Sequence, residues 1–311
     1  MEKFEELGAW LETAKDFVRW GASTFNRAKL HFEHGTSNAV DESLNLVLHA
    51  LDLGHDIPPW LLDGRLTEAE KRAAYDLLRR RVQERKPYAY ITHKARFASL
   101  DFYVDERVLV PRSPIAELIE AGFDPWIEPD RVSKVLDLCT GSGCIGIACA
   151  YAFADAAVDA TDVSTDALAV AQMNAENLHV ADRVLFHKAD VFDGLPEAPY
   201  DIIVSNPPYV DAEDMATLPD EHRHEPALGL AAGNDGLDIV RRILTGAGSY
   251  LAKDGILVVE VGNSRWALEE AYPDVPFTWL EFERGQAEVF LLRADQLGAL
   301  GKPQKKATRV R

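Results

Sequence analysis

The amino-acid sequence predicts an α/β protein: an open, mostly parallel sheet of seven strands, preceded by an N-terminal helical domain and a β-hairpin linker. Three observations predict this fold class. Residues 1–95 place apolar side chains at helical spacings of three and four. Residues 96–114 are rich in β-branched and aromatic residues around a short polar turn. In residues 115–297, short apolar segments alternate with helical patterns, which is the rhythm of βαβ units.

The helical domain begins with an amphipathic pattern. The spacing predicts one helix over residues 4–18 and a second over 44–51. A third is predicted to begin at Thr67, which forms a capping box with Glu70, and to end in the arginine triple 79–81. Basic side chains are favourable at a helix C-terminus, so we expect this triple to lie in solvent and not to bind nucleic acid.

The strands can be placed individually. Residues 97–110 are predicted to form the hairpin, with its turn at the Asp-Glu-Arg sequence 105–107. Seven strands of the sheet are then predicted at residues 135–139, 156–161, 184–188, 202–205, 256–261, 277–282 and 288–292. Because the last two are joined by a segment too short for a crossover helix, we expect them to pair antiparallel. Residues 298–311 are predicted to form a flexible basic tail.

Charge narrows the possible partners. The 311 residues include 33 lysines and arginines against 51 aspartates and glutamates, a formal net charge of -18. Residues 111–300 alone carry 12 basic and 33 acidic side chains. Such a surface repels phosphate backbones, which argues against DNA as a partner. No segment reaches the ~18–20 apolar residues of a membrane span. We therefore expect a cytoplasmic protein with no membrane partner.

Metal and disulfide chemistry are not indicated. Cys139, Cys144 and Cys149 are five residues apart, with neither Cys-x-x-Cys spacing nor histidines nearby, so they are expected to be packing residues. The histidines of the sequence 222–224 lack an accompanying pattern of carboxylates or cysteines. They are expected on a loop on the substrate side, and no metal is expected.

A glycine-rich turn points to a nucleoside cofactor. It joins a strand to a helix and consists of Cys139, Thr140, Gly141, Ser142 and Gly143. Glycines let a backbone approach a ligand, and the helix N-terminus offers unpaired N–H groups. Asp162 ends the next strand, 21 residues after Gly141, where an acidic residue binds ribose hydroxyls in open α/β folds. Asp190 is a further candidate, for the base. Dinucleotide oxidoreductases share this geometry, whereas the absence of a Gly-Lys-Ser/Thr ending disfavours an NTPase.

The sequence Asn206-Pro207-Pro208-Tyr209 follows an apolar strand. Two prolines fix the backbone, Asn206 offers a side-chain carbonyl, and Tyr209 offers an aromatic face. This combination suits the methylation of a planar, conjugated NH₂ group. Acceptors on Asn206 and on the Pro207 carbonyl would bind both N–H hydrogens, while Tyr209 packs against the flat group. The enzyme would contribute orientation and electrostatic fit rather than a strong base.

Taken together, these motifs resemble those of S-adenosylmethionine-dependent methyltransferases with a Rossmann-like sheet. The chain is similar to protein-glutamine methyltransferases over roughly residues 35–295. The segment that reads Pro-Arg-Ser-Pro-Ile at 111–115 resembles the branch that methylates the basic large-subunit ribosomal protein L-three. The resemblance implies a substrate-recognition domain over residues 1–95 and a catalytic domain over 115–297.

The resemblance also implies roles for the site residues. The turn 139–143 would hold the methionine part of the cofactor, with Asn206 beside it, and Asp162 would hold the ribose. Asp190 and Val191 would lie near adenine, or Phe192 would take the place of Val191. The glutamine amide would lie against Asn206, Pro207, Pro208 and Tyr209. Glu225 would be structural, and Arg112 would either support the site or form an exposed salt bridge.

Three alternatives remain open. A methyltransferase acting on release factors would share every catalytic residue and differ at residues 113–115. A DNA adenine methyltransferase also uses Asn-Pro-Pro-Tyr, but it must bind and flip a base, which the acidic charge opposes. A non-catalytic ribosome-assembly factor that kept the fold is the third alternative, although the intact Asn206 argues against it.

Overall fold

The computed structural model describes residues 4–283 and 287–297, with the main chain alone for Glu6. These residues divide into two units. The first holds the residues up to Ala95 together with Pro219–His224, and the second holds Arg96–Leu218 together with the residues from Glu225 onward. The sequence places residues 219–224 within the catalytic domain 115–297, whereas the structure places them in the first unit. The predicted tail 298–311 lies outside the described residues.

The first unit is helical, and caps in the sequence set its helices. The α-helices are α1 (Phe4–Leu7), α2 (Ala14–Arg27), α3 (Ala39–Ala50), α4 (Glu68–Glu84) and α5 (Tyr88–Thr92), with 3₁₀ helices at Pro59–Asp63 and Asp220–His224. The capping box at Thr67 is confirmed. A second capping box, between Thr13 and Asp16, starts α2. Because this cap begins a new helix, the single helix predicted over residues 4–18 is in fact two helices.

The side chain of Arg81 is buried in the first unit. Its side chain is 0% exposed, and its Nε lies 2.5 Å from Oε1 of the equally buried Glu42. A second carboxylate, Glu221, lies 3.5 Å from Arg81 Nη1, and Arg81 Nη2 donates to the main-chain oxygen of His31. Burial raises the pKa of Glu42, and the charge of Arg81 opposes that shift. The expectation that the whole arginine triple lies in solvent is wrong for Arg81, because two distant carboxylates provide its partners.

Replacing Arg81 by methionine should lower the free energy of unfolding by about 3–5 kcal/mol, because it leaves the buried Glu42 carboxylate without its cation. The matched control is Arg80→Met, at the position of α4 that directly precedes Arg81. Arg80 pairs with Glu84 at 3.0 Å on the surface, where such a pair contributes no more than about 1 kcal/mol. Urea unfolding of both variants measures the difference. Equal losses of unfolding free energy in the two variants would show that the buried ion pair contributes no more to stability than the exposed one.

The hairpin that follows is shorter than predicted. Its strands are β1 (Ala95–Phe97) and β2 (Leu100–Phe102). The turn is made by Ala98 and Ser99, which have φ values of 44° and 64°. The predicted turn at residues 105–107 is wrong in position, because Arg107 donates to the Asp105 carboxylate within a separate local turn. The positive φ values of a two-residue hairpin turn usually select glycine or asparagine, so Ala-Ser gave no signal.

The second unit is built on the predicted sheet. Its strands are β3 (Lys134–Leu138), β4 (Ala157–Asp162), β5 (Val184–Lys188), β6 (Tyr200–Ser205), β7 (Leu251–Gly262), β8 (Thr278–Leu280) and β9 (Glu288–Arg293). The order across the sheet is β5-β4-β3-β6-β7-β9-β8. β9 runs antiparallel to both β7 and β8, and the other neighbours are parallel. The predicted fold class and the antiparallel pairing of the last two strands are confirmed.

The second unit also contains seven α-helices within the described residues. They are α6 (Ile115–Glu120), α7 (Cys144–Ala152), α8 (Thr165–Asn177), α9 (Ala212–Thr217), α10 (Asp238–Ala247), α11 (Arg265–Ala271) and α12 (Ala294–Leu297). Successive residues of the central strands enter two different cores, as Val135 and Leu136 do. Both faces of the sheet are therefore buried, which explains the continuous apolar runs of its strands. Within the described part of the chain, no helix is long and apolar enough to cross a membrane.

Candidate active site

The chain reverses its direction of progress across the sheet at β3. The strand that follows it in sequence, β4, lies on one side of β3, and β6 lies on the other. Open α/β sheets bind ligands at such a point, outside the carboxyl ends of the strands. A cavity of about 340 Å³ opens there. Eleven of the twelve predicted site residues line it: Cys139, Thr140, Gly141, Ser142, Asp162, Asp190, Val191, Asn206, Pro207, Pro208 and Tyr209, with Asn206 expected in two roles.

The glycine turn presents backbone to the cavity. Gly141 has a φ of 54°, and a Cβ built on it would meet no atom within 4 Å, so the space above it is open to a ligand. Gly143 is the predicted site residue that does not line the cavity. It is the N-cap of α7 with a φ of 82°, and its Cβ would come within 3.0 Å of Ala171 and Ile147. Its glycine is needed for close packing of α7 on α8 rather than for space above the turn.

The carboxylate of Asp137 is hydrogen-bonded to the glycine turn and to the start of α7. It is fully buried, and its Oδ2 accepts hydrogen bonds from Thr140 Oγ1 at 2.5 Å and from the Gly146 amide at 2.9 Å. These bonds tie the end of β3 to the first turn of α7. Burial raises the pKa of Asp137 from 3.8 to about 7, and the two hydrogen bonds oppose that shift.

The titration of Asp137 predicts a pH-dependent stability. In the unfolded chain an aspartate ionises near pH ~3.9, whereas Asp137 in the folded protein ionises near pH 7. The folded state therefore binds more protons between these values, and its free energy of unfolding falls as the pH rises from about 4 to about 7. Relative to Asp137→Asn, the wild type should lose about 2.5 kcal/mol between pH 5 and 8 in urea unfolding. The exposed Asp155→Asn is the control, and its free energy of unfolding should change with pH as that of the wild type does. If the wild type lost as much relative to Asp155→Asn as relative to Asp137→Asn, Asp137 would be excluded as the cause.

Asp162 lies at the end of β4 beside the glycine turn. Its Oδ2 accepts from the Gly141 amide and its Oδ1 from the Ser164 amide, both at 2.9 Å. Ser164 is the N-cap of α8. Burial raises the pKa of Asp162, whereas these backbone hydrogen bonds lower it. Each carboxylate oxygen has a further lone pair, so Asp162 can accept ribose hydroxyls while it fixes the turn.

The residues after β5 divide between cavity and core. Val191 lines the cavity with a φ of 59°, a left-handed conformation that is costly for a β-branched residue. Such strain clusters at binding sites. Asp190 also lines the cavity, and its carboxylate binds Arg242 at 2.7 Å. Phe192 stacks on Tyr250 at 4.6 Å between ring centroids and is absent from the lining. The suggestion that Phe192 replaces Val191 at the cavity is therefore wrong.

The Asn-Pro-Pro-Tyr sequence leaves the end of β6 and enters the cavity wall. Ser205, just before it, donates to the main-chain oxygen of Leu138 at 2.8 Å and so ties β6 to β3. Among the described residues, no hydrogen bond occupies the Asn206 side chain. Tyr209 is fixed in contrast, since its hydroxyl donates to Glu260 at 3.0 Å. Burial raises the pKa of Tyr209 far above its ordinary range. The site therefore offers one unengaged amide and one anchored aromatic ring.

Two further segments line the cavity that the sequence did not assign to it. They are residues 107–113 and 226–231, to which Val163 and Ile239 add apolar surface. Glu225 joins the two segments, because it accepts from the Val110 amide at 3.1 Å and pairs through both oxygens with Arg112. The Glu225 side chain is fully buried, so Arg112 does not form an exposed salt bridge but supports the cavity wall. In the second segment, the apolar side chain of Leu228 is 60% exposed, and the sequence alone does not show this exposure.

The histidine cluster is not part of the cavity lining. His222 is buried in the first unit, and its Nε2 lies 3.6 Å from Oε2 of Glu33. His31, Glu33 and His222 bring three potential ligand atoms within 4.8 Å of one another. His222 therefore packs against residues of the first unit, and its expected position on the substrate side stays a prediction.

Known proteins are similar in sequence to this chain over most of its length. It is 49% identical over 297 residues to the ribosomal protein uL3 glutamine methyltransferase of Francisella tularensis, with 95% of each chain covered. It is 50% identical over 295 residues to the protein of that name from Neisseria gonorrhoeae, covering 94% of this chain and 98% of the relative. The chain belongs to the uL3 glutamine methyltransferase family. The protein named uL3 is the large-subunit protein L-three, so the branch indicated by the motifs is confirmed.

A family model and a solved structure are also similar to parts of this chain. A family model described as the methyltransferase small domain matches residues 125–219, which include β3 to β6. A solved structure of the human methyltransferase 10 domain containing protein is similar, with a TM-score of 0.45 and 19% identity over 63% of this chain and 88% of that one. As a member of the family, the enzyme is a methyltransferase with S-adenosylmethionine as its methyl donor.

Proposed function

We propose that this enzyme transfers a methyl group from S-adenosylmethionine to the side-chain amide nitrogen of a glutamine in ribosomal protein uL3. The observation that carries the proposal is the identity of about half of all residues with uL3 glutamine methyltransferases along 95% of the chain. The position of Asn206 and Tyr209 at the cavity supports it. The relatives favour none of the three alternatives over uL3.

The cavity fits the cofactor. The open space above Gly141 accepts the methionine part, and the unpaired N–H groups at the start of α7 suit its carboxylate. Asp162 would accept the ribose hydroxyls, while Val163 and Val191 provide apolar surface for adenine, with Asp190 nearby. When bound, S-adenosylmethionine supplies a methyl group on a sulfonium that leaves as a neutral thioether.

Asn206 and Pro207 would orient the glutamine. An amide nitrogen is a poor nucleophile because its lone pair is delocalised into the carbonyl group. The Asn206 carbonyl and the Pro207 main-chain carbonyl would accept the two N–H hydrogens and so direct the nitrogen lone pair toward the methyl carbon. Formation of the N–C bond would break the C–S bond of the methyl donor, whose electrons would remain on sulfur. The glutamine nitrogen would then release one proton to solvent, so no strong base would be needed before attack.

Tyr209 would hold the flat amide by packing its ring against it, since the ring is anchored through its hydroxyl. Burial keeps this hydroxyl protonated, because it raises the pKa of Tyr209. Its role is therefore to position the substrate and not to accept a proton. Electrostatics would assist capture, because residues 111–300 carry 33 acidic against 12 basic side chains and ribosomal proteins are basic.

The helical unit is our candidate for substrate recognition, since the cavity-lining residues all belong to the second unit. A ribosomal-protein substrate also favours the cytoplasm as the place of action.

Labelled S-adenosylmethionine tests the proposal directly. The enzyme is incubated separately with uL3, a release factor and DNA, and peptides are then mapped by mass spectrometry. Label on a uL3 glutamine, and none on the other two substrates, is the expected result. Label on the release factor alone, or on DNA, would overturn the proposed substrate. Unlabelled uL3 in all conditions would do so as well.

A further inference from the structure

A buried carboxylate stands directly behind the aromatic ring of the proposed substrate site. Glu260 lies on β7 and is 2% exposed. Its Oε1 accepts from the Tyr209 hydroxyl at 3.0 Å, and its Oε2 accepts from Ser113 Oγ at 2.5 Å. Ser113 is itself 6% exposed and accepts from the Ile115 amide at 3.2 Å, so its hydroxyl proton points to Glu260. Ser113, Glu260 and Tyr209 thus form one continuous chain of hydrogen bonds.

The position of Glu260 is costly for a carboxylate. Its neighbours on the central part of β7, including Val259 and Val261, are apolar and fully buried. Burying a charge without partners is unfavourable, and burial here raises the pKa of Glu260. An apolar residue would serve the sheet alone at lower cost. Both oxygens of Glu260 are bound by residues that line the cavity, Ser113 and Tyr209.

The remaining surroundings of Tyr209 also restrict it. A Cβ on Gly262 would lie 2.4 Å from the Tyr209 ring, and one on Gly236 would lie 2.3 Å from the Tyr209 main-chain oxygen. Ser264 Oγ donates to that same oxygen at 3.1 Å. Glycines therefore admit the ring and backbone of Tyr209, while Glu260 holds the far end of the ring.

We propose that Glu260 is a positioning residue for methyl transfer: held by Ser113, it binds the Tyr209 hydroxyl and so fixes the ring against which the substrate amide packs. This inference rests on the proposed function for the contact between ring and glutamine. Glu260 acts through Tyr209, and its loss affects the orientation of the amide and leaves the cofactor contacts in place.

Four variants test the chain. Glu260→Ala should lower kcat for uL3 by about 10- to 100-fold, since small displacements of a substrate can cost that much, with KM for S-adenosylmethionine within about threefold. Glu260→Gln should restore most of the rate, because its amide still hydrogen-bonds Tyr209 and Ser113. Tyr209→Phe removes the hydroxyl, so adding Glu260→Ala to it should cost little more. Fully additive losses of kcat in this double variant would overturn the proposal.

A matched pair elsewhere in the sheet serves as the control. Asp159 on β4 is buried and accepts from the Tyr200 hydroxyl at 2.8 Å, and neither residue lines the cavity. Asp159→Ala should lower stability but leave kcat within about twofold, because truncation of a buried carboxylate destabilises the fold without touching the site. A loss of kcat equal to that of Glu260→Ala would show that Glu260 acts only through stability.

A measurement without substrate separates this inference from the proposed function. In protein carrying ¹³Cζ-labelled tyrosine, the Tyr209 signal is identified by its disappearance in Tyr209→Phe. Glu260→Ala should shift this signal and Asp159→Ala should not. An unchanged Tyr209 signal would overturn the positioning role, even if uL3 is the substrate. Failure of the wild type to methylate uL3 would overturn the proposed function, while the signal still decides the role of Glu260.

Discussion

Replacing Asn206 by alanine should reduce methyl transfer to uL3 by about three orders of magnitude, with the dissociation constant for S-adenosylmethionine within about threefold. Asn206 lines the cavity, and its side chain makes no hydrogen bond with other described residues. It is therefore available to accept an N–H of the glutamine amide, and alanine offers no acceptor at that point. Initial rates with labelled cofactor and calorimetric titration measure the two quantities.

The control for this variant is Asn177→Ala, at the exposed end of α8. It removes the same amide group far from the cavity lining and should leave the rate unchanged. Turnover by Asn206→Ala near the wild-type level would show that the amide-holding role belongs to another residue. A large loss of cofactor binding would instead favour the second role expected for Asn206, contact with the cofactor.

Replacing Asp162 by alanine should weaken binding of S-adenosylmethionine by about 10- to 100-fold, because each hydrogen bond to a charged group contributes about 1.5–3 kcal/mol. The Gly141 amide would also lose its acceptor, so the glycine turn loses an anchor. Calorimetric titration with the product, S-adenosylhomocysteine, measures the same site without turnover. At saturating cofactor, kcat should recover most of its wild-type value.

Asp166→Ala is the control for Asp162, since Asp166 lies exposed in the first turn of α8, four residues further on. It should leave the dissociation constant unchanged. If Asp162→Ala also binds the cofactor as tightly as the wild type does, the ribose role is refuted.

The sheet could be predicted because its signals are local. The strands are continuous apolar runs, since both faces of the sheet are covered, and helix caps such as Thr67 and Ser164 act within three residues. The buried position of Arg81 could not be predicted in the same way. Its partners Glu42 and Glu221 lie 39 and 140 residues away along the chain, so the charge pattern around the triple carried no sign of them.

The residues of the site also divide into those that the sequence could place and those that it could not. Residues at the carboxyl ends of parallel strands must meet, so the glycine turn, Asp162 and Asn206 could be placed together in advance. The segments 107–113 and 226–231 reach the cavity through tertiary contacts instead. Glu225 joins Arg112 across 113 residues, and Glu260 joins Ser113 across 147. Single positions in the sequence gave no means of pairing these groups.

The short segment Pro219–His224 has a practical consequence for anyone who wishes to dissect or recombine this enzyme. The chain passes between the two units at Ala95, at Leu218 and again at His224. A fragment that starts at Arg96 would still carry Glu221, stripped of its contacts with Arg81 and Arg85. A chimera that exchanges the helical unit between relatives must therefore transfer both segments, because the codons for this unit are not contiguous in the gene.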